Sequence, residues 1–126
     1  MICLGLESTA HTYGAGIVSS KKKVLSDVKD MLTTEQGGII PAKAADHHRK
    51  VAKEIIERAV SEAKYPKIDF ISFSRSPGLP PSLHEGKKIA VELAKEMQVP
   101  LLGVNHIAAH LSSAHFHTNV KDPLYL

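Results

Sequence analysis

Pro100-Leu101-Leu102-Gly103-Val104-Asn105-His106-Ile107-Ala108-Ala109-His110 is where an apolar, strand-like run passes into a helix with no linker between them. A helix that begins directly after a strand has its first turn at the carboxyl edge of a sheet, where open α/β sheets hold their ligands. Asn105 is a natural N-cap. His106 and His110 are four residues apart, so their imidazoles share one helix face within reach of a single metal ion. The same spacing also suits two polar side chains on a solvated face, and taken alone the pair leaves both readings open.

Working outward, Ile2 to Leu6 and Tyr13 to Val18 are short apolar strands, and Val24 to Met31 alternates apolar and polar residues as a half-buried strand does. Lys21 to Lys23 forms the turn before the third strand, and three strands joined this closely make an antiparallel meander. Past Gly37-Gly38-Ile39-Ile40-Pro41 the period becomes helical from Ala42 to Lys64, with Ala44, Val51, Ala52, Ile55, Ile56, Ala59, Val60 and Ala63 in one stripe. Ile68 to Phe73 is a buried strand. Ser82-Leu83-His84-Glu85 reads as a capping box opening a helix to about Met97, and Val99 to Val104 is the next strand. The order β-β-β-α-β-α-β-α predicts an α/β domain, a mixed five-stranded sheet with helices on its faces. Leu124-Tyr125-Leu126 looks like the opening of a further strand, which suggests a truncated chain.

At 126 residues and 43% hydrophobic, the chain can bury one modest core. A net charge of +3 is compatible with a nucleic-acid partner without defining a basic arm. Cys3 is the only cysteine, which excludes an internal disulfide and a cysteine-rich zinc site. Met1 to Leu6 is too short for a signal-peptide core and no run approaches membrane-spanning length, so a soluble, cytoplasmic protein with no membrane contact is expected. Aromatic residues are 5% and tryptophan is absent, which argues against a base-stacking platform.

The loop from Glu7 to Thr12 is rich in hydroxyls and lies between two strands. Such a hairpin either holds phosphate oxygens through Ser, Thr and backbone N–H groups or is a plain polar turn. Glu7, a carboxylate ending an apolar strand, is a candidate for substrate or metal-water contact. Ser76-Pro77-Gly78-Leu79 before a helix either presents amides to an anion or only turns the chain. His48 falls on the apolar stripe as a buried histidine, His47 faces away into solvent, and His115 and His117 cap carbonyls or face water. The H-E-x-x-H pattern of zinc peptidases shares the histidine spacing, but its general base would be Ile107, which cannot accept a proton, so that mechanism is excluded.

Gly5-Leu6-Glu7-Ser8-Thr9, Gly38-Ile39-Ile40-Pro41, Asp46-His47, Ser76-Pro77-Gly78-Leu79 and Val104-Asn105-His106-x-x-x-His110 occur in an order that resembles the amino-terminal half of the universal tRNA threonylcarbamoyl transferases, TsaD in bacteria and the catalytic subunit of KEOPS in archaea. The resemblance covers essentially the whole chain. It implies one lobe of the actin-like, sugar-kinase-like ATPase (ribonuclease-H-like) fold, with 1–121 as the amino-terminal lobe and 122–126 as the start of a missing second lobe. It also implies an enzyme that moves threonylcarbamoyl from its adenylate to the adenosine next to the anticodon of ANN-decoding tRNA.

By the same resemblance His106 and His110 are ligands of an iron or zinc ion, Glu7 is catalytic, and Ser8, Thr9 and His11 face substrate or nucleotide. ATP or threonylcarbamoyl-adenylate is the expected small-molecule ligand. tRNA and the kinase-like and small dimerising subunits of a KEOPS-type complex are the expected partners. Ser76 departs from the family pattern, which commonly has glycine there. The glycine-rich nucleotide loop and an acidic third metal ligand belong to the second lobe, so the fragment alone is expected to be inactive. The alternative is a non-catalytic paralogous partner subunit, or an interaction half-domain of the same fold.

Overall fold

The computed structural model describes residues 1–35, 37–116 and 118. It contains β1 (Ile2–Glu7), β2 (Thr12–Ser19), β3 (Lys23–Met31), α1 (Pro41–Glu62), β4 (Phe70–Ser76), α2 (Pro80–Met97), β5 (Leu101–Asn105) and α3 (His106–Phe116). The strands form one mixed sheet in the order β3-β2-β1-β4-β5. β1, β2 and β3 pair antiparallel through short turns, whereas β1, β4 and β5 run parallel. Parallel neighbours need a crossover, and α1 and α2 supply the two that bring the chain into β4 and β5. This is the layered α/β architecture expected from the order of elements.

Period-two alternation gives the sheet two unlike faces. Leu4 and Leu6 of β1, Tyr13, Ala15 and Ile17 of β2, Val28 of β3, and Ile71 and Phe73 of β4 are buried with Ala52, Ile55 and Ala59 of α1 and Ala90 and Ala94 of α2. The residues between them are small or polar: Gly5, Glu7, Gly14, Gly16, Ser72 and Ser74. They line an open cleft of about 460 Å³ that Ala109, His110 and Ser113 of α3 flank. One face therefore carries the core and the other is free to carry a site.

Three sequence expectations need correction. The helix after β4 starts at Pro80, not at a Ser82 cap, and its N-cap is Leu79 with no side-chain cap bond. Two prolines set this start, because the first helical turn needs none of their missing N–H groups and their φ is already helical. Ser82 is fully buried and its hydroxyl donates to the Ala10 carbonyl at 3.0 Å. Glu85 is also buried, accepting from Nε and Nη2 of Arg49 at 3.2 and 2.9 Å and so tying α2 to α1.

His47, expected in solvent, has an 11% exposed side chain and pairs with Asp30 at the end of β3. Along β3, Val24 is 42% exposed, because a bulge between Ile17 and Val18 of β2 shifts the register past Leu25. His117, the 122–126 boundary and the strand-like Leu124-Tyr125-Leu126 lie outside the described residues. Among the described residues no helix is long and apolar enough to cross a membrane.

His48 is fully buried, as its place on the stripe predicts, with its ring 5.5 Å from that of Tyr13. Its Nε2 has no hydrogen-bond partner among the described residues. Burial first, and then the neighbouring His47, hold its pKa below the ordinary value of 6.5. The unfolded chain then binds the proton more readily, so the stability contributed by neutral His48 is complete above pH 6.5 and falls away as pH drops toward the lowered folded value. Replacing His48 by Leu should flatten the acid limb of urea midpoint against pH; an unchanged limb would assign the acid sensitivity to other groups.

Candidate metal centre at the carboxyl edge of the sheet

β1, β4 and β5 run parallel and end at the same edge, which brings Glu7, Ser74 and Asn105 together although they are far apart in sequence. Asn105 caps α3 as expected, its Oδ1 accepting from the Ala108 N–H at 3.1 Å. The cap fixes the first turn, and that turn places His106 over Glu7.

Four donors converge on the Glu7 carboxylate. Its Oε1 accepts from the Thr9 amide at 2.7 Å and from the Thr9 hydroxyl, and its Oε2 accepts from the Ser74 hydroxyl and from His106 Nδ1 at 3.0 Å. Burial alone would raise the Glu7 pKa. The bonds from Ser74 and Thr9, with the nearby His106, outweigh it and hold the pKa below the usual carboxylate value of 4.5. Glu7 is therefore ionised near neutral pH and can only accept.

That settles the imidazole: Nδ1 of His106 must carry the hydrogen it gives to Glu7. In the neutral ring the Nε2 lone pair is then free, and it points at His110 Nε2, 3.2 Å away, with the two rings edge to face. Two nitrogens each about 2.0–2.1 Å from one tetrahedral zinc lie about 3.3 Å apart, so the pair fits one metal ion. A carboxylate on the far nitrogen of a metal-binding histidine fixes its tautomer and orientation. Among the described residues no group of three or more His, Cys, Asp or Glu converges to complete a cage.

The other expected site residues sit differently. Ser8 and Thr9 are almost wholly buried, and His11 is partly buried with its Nδ1 lacking a partner among the described residues. Ser8 packs on Gly86 and Thr9 on Gly78. The Leu79 amide, offered above as an anion donor, is spent on the Thr9 carbonyl at 2.7 Å. Ser74 was missed by sequence reasoning; its signal is the alternation Ser72-Phe73-Ser74, a strand with one small polar face running to the sheet edge.

Residues 23–126 match the family described as tRNA N6-adenosine threonylcarbamoyltransferase. The chain belongs to this family. It is 44% identical over 128 residues to the tRNA N6-adenosine threonylcarbamoyltransferase of Thermococcus sibiricus, covering all of this chain and 39% of that protein. It is 41% identical to a probable bifunctional tRNA threonylcarbamoyladenosine biosynthesis protein of Methanocaldococcus jannaschii, covering 24% of that protein. The chain thus spans about 39% of the length of the curated threonylcarbamoyltransferases it matches first.

Among solved structures, YeaZ from Pseudomonas aeruginosa superposes with a TM-score of 0.65 at 16% identity, covering 90% of this chain and 47% of that one. RuvC of Thermus thermophilus superposes at 0.57 and 12%, covering 89% of this chain and 69% of that one. These likenesses show the ribonuclease-H-like, actin-like fold, while family membership rests on the match of residues 23–126 to the threonylcarbamoyltransferase family.

Proposed function

We propose that this chain is the amino-terminal, metal-ligand-bearing lobe of a tRNA threonylcarbamoyltransferase, moving threonylcarbamoyl from its adenylate to the adenosine next to the anticodon of ANN-decoding tRNA. One observation carries the reading: the Nε2 atoms of His106 and His110 stand 3.2 Å apart, a spacing one metal ion can bridge, while Glu7 holds the far nitrogen of His106. His106 and His110 would hold an iron or zinc ion, which would supply Lewis acidity to polarise and fix the carbamoyl adenylate.

Glu7 keeps His106 in the tautomer with a bare Nε2, and Ser74 and Thr9 keep Glu7 in place. Ser8 and Thr9, being buried, serve the substrate or nucleotide through Glu7, and His11 stands nearest the surface of that loop. ATP or threonylcarbamoyl-adenylate and the remaining metal ligands belong with the longer protein that its relatives imply, and the fragment alone is inactive. The reading includes a cytoplasmic protein that assembles with kinase-like and small dimerising subunits of a KEOPS-type complex.

The test uses the full-length protein. His106→Ala and His110→Ala should each purify with little bound iron or zinc, as read by elemental analysis, and should leave the adenosine next to the tRNA anticodon unmodified. Wild-type modification by the doubly substituted protein would sink the proposal and favour a structural role for the histidines.

A further inference from the structure

Three consecutive residues of the β1–β2 loop are each held by the segment that starts α2. A Cβ on Gly86 would stand 1.7 Å from Ser8 Oγ and 2.7 Å from Ser8 Cβ. A Cβ on Gly78 would stand 2.6 Å from the Thr9 carbonyl oxygen, which the Leu79 N–H already occupies. Between them Ser82 donates to the Ala10 carbonyl. Residues 78, 82 and 86 recur every four positions, so one face of α2 and the turn before it meet Ser8, Thr9 and Ala10 together.

We propose that Gly86, assisted by Ser82, is a positioning residue for the histidine pair: it sets the height of the Ser8-Thr9-Ala10 backbone and thereby the aim of Glu7 at His106. Glu7 Oε1 takes its direction from the amide and hydroxyl of Thr9, the residue next to Ser8. Lifting Ser8 off α2 carries both donors with it and loosens the carboxylate that holds His106 Nδ1. Helix formation does not ask for glycine here, since alanine is the better helix former; the contact with Ser8 does. Ser8 is 2% exposed, so its side chain has no open space to swing into and its Cβ, fixed to the backbone, is already too close. The inference rests on the reading that Glu7 orients His106.

The experiment uses full-length, metal-free protein with 15N-labelled histidine above the histidine titration range, where long-range 1H–15N correlation shows which ring nitrogen of His106 bears hydrogen. The wild type should be the Nδ1–H form; any other form would sink the Glu7–His106 reading itself and this inference with it. In Gly86→Ala the Nδ1–H form should fall to a minority, and Co2+ affinity, followed by visible absorption, should drop roughly tenfold, the low end for loss of a supporting partner. Adding Ser8→Gly removes both clashing atoms and should restore both readouts.

A folded Gly86→Ala protein with the wild-type tautomer and Co2+ affinity would overturn the inference, as would a double variant no better than the single. If Gly86→Ala does not fold, Ser82→Ala decides. It deletes one hydroxyl, and a mixed His106 tautomer supports the positioning role while an undisturbed one refutes it.

Discussion

At the proposed metal site, replacing Glu7 by alanine in the full-length protein should weaken binding of the proposed iron or zinc ion by about 10- to 100-fold, the usual effect of removing an outer partner of a metal-binding histidine. The fold should survive, because Glu7 is only half-buried and lies outside the apolar cluster. Glutamine should be nearly as damaging. All four groups on the carboxylate are donors, whereas a carboxamide offers one accepting oxygen and turns an NH2 toward the rest. Competition against a chelator of known affinity measures both variants. Wild-type affinity in Glu7→Ala would mean that His106 is oriented by its helix alone.

The largest loss of stability is expected at Ile71. It is fully buried in β4, opposite Leu4 of β1 on one side and Leu101 of β5 on the other. Hydrogen-bonded strands on both sides resist collapse into a void, so Ile71→Ala should cost about 2–5 kcal/mol. Against a total stability of about 5–15 kcal/mol that is a large share. Urea denaturation should show a lower midpoint at an unchanged slope. A loss well under 1 kcal/mol would show that the α1–α2 layer closes on the gap.

The elements themselves were readable because each announces its period. Tyr13, Ala15 and Ile17 alternate with Gly14 and Gly16, and Ala52, Ile55 and Ala59 recur at helical spacing. The histidine pair was readable because its geometry is local, four residues on one helix.

Glu7 was visible only as a candidate, since its four donors come from positions 9, 74 and 106 and the last of these is 99 residues away. Strand pairing across the sheet makes that meeting, and no local rule states it. Ser82 and Glu85 misled for the same reason. Their spacing copies a capping box, while their actual partners, Ala10 and Arg49, belong to other elements. His47 found Asp30 across 17 residues, again through the packing of α1 on the meander.

The parallel pairing of β1 with β4, Leu6 opposite Phe73, has a consequence for quality control of the folded chain. A slip of one residue would turn Glu7 to the helix side and bring an apolar neighbour to the cleft. The histidines would keep their spacing in such a molecule, yet His106 would lose the carboxylate that selects its tautomer. A ligand drawing on both ends of this 99-residue span stabilises only the correctly registered chain. Tight binding of such a ligand would therefore report that β1 and β4 are paired in register.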